Sequence, residues 1–507
     1  MVEIELKFQV PPSQRQALRR SLQSRGAPVP RMHLRAIYYD TADGRLAAAA
    51  LALRLRREGP RWVQTLKAQT ARDGHRLEHE VVLPRQRGEP ALDPSRHVGT
   101  PAYERFAKVL GGASGTAWVV RYRTDIWRTL RERRVRGGVV ELALDEGRIE
   151  AQDRSRPVSE LEIELLRGRP EVLARIAREL VQRHQLWLDV RSKAQLGQML
   201  ADGSGALPAR KASPVHLDGR RDLASALRQV LTQTLGQVLA NAAEVADGLG
   251  RPEHLHQLRV GLRRTRVALR LFERAALGGV DPTWTKRLAE LFQALGGTRD
   301  RDVWAASLLP AVREAGAPWA ELPPADDADD GVRAQQVLRS APTNLLWLEL
   351  LAFAWGGPAG SVATAALQVE PASEDLRPYV VRRLQAWHRR LRAAAKGADD
   401  LDEPALHEVR KLVKRQRYAA EFCAALFGAK ATGRYLRELA PLQETLGALN
   451  DLHTATLAYE KVLASEPRAA FILGWLAARR QAARLQAVAA LKPLARAAVP
   501  WERASDR

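Results

Sequence analysis

The chain has 507 residues, enough for two or three domains and too many for one hydrophobic core. Its 80 Lys and Arg residues outnumber 58 Asp and Glu residues, and the net charge of +22 favours anionic partners. The single cysteine, Cys423, excludes an internal disulfide and lies in an apolar helical run, which predicts a buried side chain rather than a nucleophile. The chain opens on an acidic strand rather than a signal peptide and has no apolar run long enough to span a bilayer, which predicts a soluble, cytoplasmic protein.

Charged and apolar residues alternate through roughly residues 1–200, as in strands that bury one face. Any one such strand is explained by a solvated face, but the charges are sorted by strand. Acidic pairs lie at 3–5 and 160–164, whereas arginines lie between them, at 54–56 and 121–123. In a closed antiparallel barrel the first and last strands are neighbours, so their carboxylates would converge on one wall. Such carboxylates need a cation, and hard divalent cations prefer oxygen ligands.

These segments resemble the CYTH domain of the triphosphate tunnel metalloenzymes. The resemblance covers roughly residues 1–200 and rests on motifs that occur in the family's order: Glu-x-Glu-x-Lys at 3–7, Tyr38-Tyr39-Asp40-Thr41, Leu53-Arg54-Leu55-Arg56, Thr65-Leu66-Lys67, Leu161-Glu162-Ile163-Glu164-Leu165 and Ser192-Lys193-Ala194. It implies an eight-stranded antiparallel β-barrel tunnel that hydrolyses triphosphates with a divalent metal, Mg²⁺ or Mn²⁺.

The resemblance also implies the residues of the site. The metal-binding carboxylates would be Glu3, Glu5, Glu162 and Glu164. The triphosphate-binding bases would be Lys7, Arg54, Arg56, Lys67, Arg121 and Lys193. Strand parity adds further side chains facing the tunnel, namely Arg123 as a base together with Glu78, Glu80, Glu141 and Asp145. The residues predicted to act in catalysis are Glu5, Lys7, Lys67 and Arg56. A second cation, or a tunnel carboxylate such as Glu5, would orient or deprotonate the attacking water, and the bases would absorb charge on the leaving pyrophosphate.

A Gly-, Pro- and Lys-containing segment at 203–214 predicts a linker between the first domain, 1–202, and a second domain, 215–497. Beyond the linker the hydrophobic period changes from two to between three and four, which predicts helices in two repeats at about 215–355 and 372–497. The prolines at 323–324 and the acidic run at 326–330 predict a surface loop. The segment 356–371 predicts a connection between two helical bundles.

Two motifs recur at one constant offset of 151 residues, from 256–266 to 407–417 and from 295–300 to 446–451. One offset shared by two motifs indicates a duplicated multi-helix unit with pseudo-twofold symmetry. In each copy basic residues recur at steps of three and four and form a stripe along a helix: His256, Arg259, Arg263, Arg266 and Arg270 in the first, and His407, Arg410, Lys414 and Arg417 in the second. Solvated faces usually mix charge signs, so these stripes favour a bound polyanion.

A zinc site at His254 and His256 is disfavoured because no Cys or His stands at a zinc-ligand spacing from them.

The pattern His-x-x-Arg-x-x-x-[Lys/Arg]-Arg-x-Arg, followed by Leu-Gly-x-x-Arg-Asp, resembles the CHAD domain, a helical module that often follows a CYTH domain. The resemblance covers about residues 215–497 and implies two pseudo-symmetric four-helix bundles with a basic surface for inorganic polyphosphate. That surface would comprise His256, Arg259, Arg263, Arg264, Arg266, His407, Arg410, Lys414, Arg415 and Arg417. The second copy has Asn450 where the first has Arg299.

The sequence thus predicts an α+β protein of two domains: a metal-dependent triphosphatase that converts inorganic triphosphate to pyrophosphate and phosphate, and a polyphosphate-binding helical domain. Two alternatives stay open. The tunnel could act on an organic triphosphate, as thiamine triphosphatases and adenylyl cyclases do, or it could be inactive and serve with the helices as a scaffold on polyphosphate granules. Specific nucleic-acid binding is disfavoured because the sequence has no helix-turn-helix or RNA-recognition pattern.

Overall fold

The computed structural model describes residues 4–23, 29–69, 76–86, 88–111, 117–217, 222–273, 280–296, 301, 304–323, 330–356 and 375–502. The chain divides into two compact units, Met1–Pro208 with Leu338–Leu348, and Ala209–Val337 with Glu349–Arg507. The first unit is built on a large antiparallel sheet and the second on helices, which confirms the predicted fold class. Among the described residues, no helix combines the length and the apolar character needed to cross a bilayer.

The sheet of the first unit has nine strands, in the spatial order β5-β4-β3-β2-β6-β7-β8-β1-β9. Their bounds are β1 Glu5–Gln9, β2 Arg31–Asp40, β3 Leu51–Glu58, β4 Arg61–Gln69, β5 Arg76–Leu83, β6 Val119–Val135, β7 Gly138–Ala151, β8 Arg154–Gly168 and β9 Trp187–Leu188. Eight strands were expected, and the additional strand β9 has only two residues. The first strand and the last long strand are neighbours, as predicted, with Glu5 opposite Glu164 and Lys7 opposite Glu162.

The sheet has one charged face and one apolar face. Residues directly opposite each other on antiparallel strands lie on the same face, so the register assigns each side chain to a face. The charged face carries Lys7, Tyr38, Arg54, Arg56, Lys67, Glu78, Glu80, Arg128, Asp145, Glu160 and Glu162. The other face carries buried residues that include Leu6, Phe8, Leu53, Leu66, Leu144, Leu161 and Ile163. Alternation along each strand thus produced the sorting that the sequence indicated.

The helices of the first unit are α1 Arg15–Gln23, α2 Arg45–Ala48, α3 Pro101–Leu110, α4 Pro170–His184 and α5 Lys193–Asp202. Helices α2 and α3 cover the apolar side of β3 and β4 in a core that includes Leu46, Leu53 and Phe106. Helix α4 packs against β7, β8 and β1. The buried Asp40, in the Tyr-Tyr-Asp-Thr motif, accepts hydrogen bonds from the backbone N–H groups of Leu46 at 2.8 Å and Ala47 at 2.9 Å, so that residue fixes the start of α2.

The helices that follow are α6 Leu223–Ala246, α7 Pro252–Leu271, α8 Thr283–Ala294, α9 Leu309–Glu314, α10 Asp330–Arg339, α11 Ala341–Ala354, α12 Leu376–Lys396, α13 Glu403–Phe422, α14 Ala424–Phe427, α15 Ala429–Val462 and α16 Ala469–Leu491. Shorter 3₁₀ segments span Pro12–Gln14, Pro94–His97, Ala398–Asp400 and Lys492–Arg496, and Trp304–Leu308 forms a π-helical turn. Most of the predicted acidic loop, 324–329, and most of the predicted connection, 357–371, lie outside the described residues.

The two helices that bear the repeated basic motif match closely in length. Both α7 and α13 have 20 residues, and both their first and their last residues are 151 positions apart. The second repeated motif differs between the copies. In the first, α8 ends at Ala294 and the motif begins at Leu295, whereas in the second Leu446–Asp451 lies within the uninterrupted helix α15. The first copy has Gly-Gly at 296–297 and the second has Gly-Ala at 447–448, and the additional glycine disfavours helix.

The side chain of Cys423 is fully buried at the end of α13, as predicted. Burial raises the pKa of this thiol well above its usual value. A thiol held protonated in an apolar core is inert, so Cys423 fills space and does not act as a nucleophile.

Candidate functional site

The charged face of the sheet brings three carboxylates together. Asp145 on β7 lies directly opposite Glu160 on β8, and Glu162 is the next residue of β8 on the same face. One carboxylate oxygen from each of the three residues lies within 4.8 Å of the others. Asp145 and Glu160 are each only 1% exposed. We call these three residues the acidic cluster. Because three buried carboxylates repel one another, the fold requires cations beside them.

Lys193 is in contact with all three members of the acidic cluster. Its Nζ lies 2.7 Å from Asp145 Oδ2, 2.6 Å from Glu160 Oε1 and 3.0 Å from Glu162 Oε1. Burial alone would lower the pKa of Lys193, but the surrounding carboxylates outweigh it and raise this pKa well above its usual value. The side chain is therefore a fixed positive charge at the centre of the acidic cluster.

The carboxylates of the acidic cluster have opposite pKa shifts. Burial, with the negative charge of Glu162, raises the pKa of Glu160 to about 7. Burial also opposes ionisation of Glu162, yet Lys193, Lys7 and Arg128 outweigh it and lower the pKa of Glu162 well below its usual range. Glu162 is consequently ionised at neutral pH, while Glu160 can hold a proton there.

Arg128 is a member of the site that sequence reasoning missed. Its Nε lies 2.6 Å from Asp145 Oδ1, and its Nη2 lies 2.6 Å from both Asp145 Oδ2 and Glu162 Oε2. This two-pronged contact holds the side chains of neighbouring strands in one arrangement. Arg128 lies directly opposite Asp145 on the charged face, so extending strand parity along β6 from Tyr122 would have placed it there.

The four predicted metal carboxylates are only partly brought together. Glu162 belongs to the acidic cluster. Glu5 lies beside Lys7, whose Nζ is 2.6 Å from Glu5 Oε1 and 3.4 Å from Glu162 Oε1, and Glu164 lies opposite Glu5. Glu3 lies outside the described residues. In the part of the chain that the structure describes, the carboxylates close enough to share one cation are instead Asp145, Glu160 and Glu162.

The chain places Lys193 through the segment that links β9 to α5. Asp189 is fully buried and accepts hydrogen bonds from Arg191 Nε at 2.9 Å and Nη2 at 2.7 Å, while its backbone N–H donates to Lys7 O at 2.9 Å. Ser192 then caps α5, accepting from Gln195 N at 3.2 Å. Lys193 is the first residue of that helix. The backbone hydrogen bond to Lys7 thus attaches this segment to β1, while the ion pair and the cap fix the chain between Asp189 and the start of α5.

Close packing of α5 on the charged face depends on one glycine. A Cβ at Gly197 would lie 2.3 Å from the ring of Tyr122, which is itself buried and stacked on Tyr38 with ring centroids 4.4 Å apart. Only glycine lets the helix approach the two rings this closely.

The basic side chains lie on β3 and β4, each beside a carboxylate. Arg56 Nη2 is 2.5 Å from Glu58 Oε1 and 3.3 Å from Glu80 Oε1, and Lys67 Nζ is 2.7 Å from Glu78 Oε2. Arg54 is 3.6 Å from Glu80 and donates through Nη1 to the hydroxyl of Tyr38 at 3.1 Å. We call Arg54, Arg56 and Lys67 the basic cluster. Burial, together with the charge of Arg54, lowers the pKa of Lys67.

Tyr38 lies between helix α5 and the basic cluster. Its ring stacks on Tyr122, on which α5 packs through Gly197, and its hydroxyl accepts a hydrogen bond from Arg54. Burial alone would raise the pKa of this hydroxyl, but the positive charges of Arg54, Lys67 and Lys193 outweigh burial and lower it. These contacts connect the helix that begins with Lys193 to the basic cluster.

Two predicted bases lie apart from these clusters. Arg121 Nη2 is 2.5 Å from Asp202 Oδ1 at the end of α5. Arg123 lies opposite Ile37 and Glu150, which places it on the other face of the sheet. The pairing of β2 with β6 shifts register between Tyr38 and Tyr39, where Tyr122 and Val120 are their partners. Parity counted from Arg121 does not continue across such a bulge, so the prediction that Arg123 faces the tunnel was wrong.

The acidic cluster fits a hard divalent cation by its donor type. It offers three carboxylate oxygens within 4.8 Å of one another, and carboxylates are the ligands that Mg²⁺ and Mn²⁺ prefer. The Lys193 ammonium, within 3.0 Å of each carboxylate, already provides one positive charge there.

In the helical unit, several predicted basic residues are buried in structural contacts. Arg259 donates to Leu295 O at 2.7 Å, and its guanidinium lies 4.4 Å from the ring centroid of Phe292. Glu421, near the end of α13, accepts from Arg264 Nη1 at 2.7 Å and from Arg417 Nε at 2.9 Å. The helices α7 and α13, which carry the two basic stripes, are therefore joined by a shared carboxylate.

Another group of arginines, on α7, α12 and α13, is close enough for their positive charges to act on one another. Burial, followed by the charges of Arg270 and Arg263, lowers the pKa of Arg266. Burial, followed by Arg270, Arg390 and Arg383, lowers the pKa of Arg415. We call the set of Arg263, Arg266, Arg270, Arg383, Arg390 and Arg415 the arginine cluster. Arg383 and Arg390, on α12, were not foreseen from the repeat.

Histidines near the start of α7 and α13 differ in their surroundings. His254, two residues before the first motif, is buried and its Nδ1 accepts a hydrogen bond from Arg251 N at 3.0 Å, which helps to cap α7. His407, the first residue of the second motif, is partly buried, and burial, with Lys411 and Arg410, lowers its pKa. The side chain of Asn450, the residue that replaces Arg299 in the second copy, opposes that shift.

Comparison with known families agrees with both resemblances. The CYTH domain family matches residues 1–195, and the CHAD domain family matches residues 229–460. The chain therefore contains a CYTH domain followed by a CHAD domain.

Solved structures resemble each half separately. The CHAD domain from the plant Ricinus communis is 29% identical, and the match covers 57% of this chain and 97% of that one with a TM-score of 0.46. An adenylyl cyclase candidate from Hippeastrum, described as having a dominant triphosphatase activity, is 21% identical over 41% of this chain and 97% of that one, with a TM-score of 0.28. An adenylate cyclase candidate from Bacillus halodurans is 19% identical over 38% of this chain and 96% of that one, with a TM-score of 0.29.

Proposed function

We propose that the CYTH domain hydrolyses inorganic triphosphate to pyrophosphate and phosphate with the help of Mg²⁺ or Mn²⁺. The observation that carries this proposal is the sorting of charge on one sheet face, with the acidic cluster on β7 and β8 and the basic cluster on β3 and β4. A phosphate chain bound between the clusters would meet fixed cations along its length. Phosphoryl transfer depends mainly on such positioning and charge stabilisation.

The basic cluster would bind the phosphates. Arg54, Arg56 and Lys67 lie beside Glu78 and Glu80 in the structure, with Lys67 2.7 Å from Glu78. A triphosphate offers more negative charge than these carboxylates and would replace them as the partner of the three bases. Arginine is suited to this because its planar fork pairs with two phosphate oxygens at once. Lys7, Arg121 and Lys193 would extend the contact, as the family resemblance implies.

The acidic cluster, which holds Asp145, Glu160 and Glu162 within 4.8 Å, would bind the metal. When bound, the divalent cation neutralises phosphate oxygens and makes a coordinated water easier to ionise. Glu5 would orient or deprotonate the attacking water, and Lys7, 2.6 Å from Glu5, would hold that carboxylate in position. Arg128 holds Asp145 and Glu162 in place and so acts as a positioning residue.

The test is phosphate release from tripolyphosphate, ATP and thiamine triphosphate, each with Mg²⁺, with Mn²⁺ and with EDTA. Metal-dependent release that is fastest with tripolyphosphate is expected. Faster release from ATP or thiamine triphosphate would move the assignment to an organic substrate. The absence of release from all three would refute the enzymatic proposal.

We also propose that the CHAD domain binds inorganic polyphosphate through the arginine cluster. Burial, and after it the charges of neighbouring arginines, lower the pKa values of Arg266 and Arg415, and a bound polyanion would offset that repulsion. His256, Arg410 and Lys414, on the same two helices, would extend the surface. Each contact to a phosphate releases counterions, so the affinity should fall steeply as salt is raised.

Binding of long-chain polyphosphate by the variant Arg266→Ala with Arg415→Ala tests this proposal. The double variant should bind more weakly and show a shallower dependence of log Kd on log salt, because fewer counterions are released. Arg468→Ala is the matched control, since Arg468 lies beside Glu466 at 2.7 Å and outside the cluster. Equal affinity for polyphosphate and for duplex DNA of equal charge would leave only a nonspecific basic surface.

A further inference from the structure

The acidic cluster already has a cation at its centre. The Lys193 ammonium touches all three carboxylates at 2.6 to 3.0 Å. A divalent metal shared by the same three oxygens would occupy much the same space. Lysine and metal cannot both be there, so binding of a metal requires that Lys193 move.

Charge repulsion leads to the same conclusion. The Lys193 ammonium lies within 3.0 Å of an oxygen of each carboxylate, so a divalent cation that shares those oxygens would lie beside a like charge in a largely buried site. Binding of the metal is therefore most favourable when the ammonium leaves the acidic cluster.

Lys193 is the cation best able to leave. Arg128 holds Asp145 through both Nε and Nη2, each at 2.6 Å, and also contacts Glu162, so its departure would break three charged hydrogen bonds in fixed geometry. Lys7 lies in the middle of β1 and remains paired with Glu5. Lys193 is a point charge on a flexible four-carbon side chain at the first residue of α5.

A destination for the ammonium lies nearby. Helix α5, which begins with Lys193, packs through Gly197 on Tyr122, Tyr122 stacks on Tyr38, and the Tyr38 hydroxyl accepts a hydrogen bond from Arg54 of the basic cluster. An incoming triphosphate would supply the negative charge that Lys193 gives up when it leaves the carboxylates.

We propose that Lys193 couples the binding of metal to the binding of substrate, an inference that rests on the proposed triphosphatase function. Without ligands, its ammonium neutralises the acidic cluster and competes with the divalent cation. With triphosphate present, the ammonium pairs with a phosphate and vacates the cluster for the metal. By thermodynamic linkage, bound metal then increases the affinity for triphosphate by the same factor as bound triphosphate increases the affinity for metal. The lysine thus keeps the metal site weak until substrate arrives.

The test measures Mn²⁺ affinity of the full chain from the electron paramagnetic resonance signal of free Mn²⁺, with and without a non-hydrolysable imido analogue of triphosphate. Lys193→Met should bind Mn²⁺ about ten- to a hundredfold more tightly than wild type when the analogue is absent, because one charged competitor is gone. The increase in Mn²⁺ affinity that the analogue causes should be smaller in Lys193→Met than in wild type by the same factor. Direct contact between metal and analogue contributes equally in both proteins, so it does not affect this comparison.

Two variants serve as controls. Lys193→Arg keeps the positive charge and should not tighten Mn²⁺ as Lys193→Met does. Lys108→Met removes an exposed lysine of α3, the helix that covers the apolar side of the sheet, and should leave Mn²⁺ affinity unchanged. If Lys193→Met does not fold, as judged by circular dichroism, Lys193→Gln replaces it.

Unchanged or weaker Mn²⁺ binding by Lys193→Met, or no binding by any of the proteins, would overturn the coupling. Phosphate release by the same preparations separates this result from the wider proposal. If the wild-type protein hydrolyses tripolyphosphate but Lys193→Met shows unchanged Mn²⁺ affinity, only the coupling is refuted. Tightened Mn²⁺ binding without any hydrolysis would refute only the triphosphatase assignment.

Discussion

The close approach of α5 to the sheet makes Gly197→Ala an informative substitution. In a helix, alanine is favoured over glycine by about 1 kcal/mol, so the change alone would stabilise the protein. The new Cβ would, however, lie 2.3 Å from the ring of Tyr122, about 1 Å closer than the 3.4 Å at which ordinary contact begins. Tyr122 cannot yield easily because it is buried and stacked on Tyr38.

Overpacking of this kind costs about 1–3 kcal/mol, which offsets or exceeds the gain in helix propensity. We expect a net loss of about 1 kcal/mol in the stability of the CYTH domain. Relief of the clash would move α5 away from the sheet by about 1 Å, and Lys193 with it. A misplacement of about 1 Å in a binding group can reduce turnover by about a hundredfold.

The assay combines scanning calorimetry of the full chain with hydrogen exchange at the amides of α5 and β6, followed by tripolyphosphate hydrolysis. Gly447→Ala is the matched control, because it also lies within a helix but its Cβ would meet nothing within 4 Å. That control should stabilise the CHAD domain by about 0.5–1 kcal/mol. A Gly197→Ala variant that is stabilised to the same extent, with unchanged exchange in α5, would refute the packing argument.

Further outcomes follow from other contacts. Glu5→Gln keeps shape but removes charge, and should suppress tripolyphosphate hydrolysis by orders of magnitude with an unchanged circular dichroism spectrum; wild-type turnover would exclude Glu5 from the reaction. Arg264→Met removes one of the partners of Glu421 in a largely buried site, and should lower the stability of the CHAD domain by about 2–4 kcal/mol in calorimetry. The double variant Arg264→Met with Glu421→Leu should regain much of the lost stability, because no unpaired carboxylate then remains. Burial and the adjacent His79 lower the pKa of His97 to about 4, so between pH 6.5 and about 4 the unfolded chain binds more protons than the folded one. The stability of the CYTH domain should therefore fall as the pH is lowered through that range, and His97→Asn should flatten the dependence; an unchanged pH profile would contradict this origin.

Much of the fold could be read from the sequence because its signals are local. Alternation with period two identified the strands, and the outcome at β1 and β8 confirmed that the acidic segments are neighbours, with Lys7 opposite Glu162. The change of period after the linker identified the helical domain. The constant offset of 151 residues identified the pair of helices that match in length, α7 and α13.

The membership of the candidate site was only partly predictable. The motif residues Glu162, Lys193, Arg54 and Lys67 all lie on or beside the charged face. The acidic cluster, however, is completed by Asp145 rather than by Glu5, because strand stagger sets which carboxylates approach one another. A bulge moved Arg123 to the opposite face, and neither the stagger nor the bulge has a signal within a single strand.

In the CHAD domain, the spacing of basic residues at steps of three and four predicted which helix faces are basic. It did not predict which of those residues are available to a ligand. Arg264 and Arg417 meet at Glu421, and Arg259 is turned onto Phe292 and Leu295. Those contacts join residues that are distant in sequence, so periodicity carries no information about them.

The sequence by itself determined the strands, the helices and the sorting of charge to one face, because each depends on how a side chain is oriented by its own backbone. It also determined the repeat, which is visible in the order of the residues. Only the tertiary structure decided that Lys193 lies among Asp145, Glu160 and Glu162. The return of α5 onto the sheet over Gly197 and the stagger of β7 and β8 bring those groups together. Distances between segments are set by the packing of the whole core, which no local pattern contains.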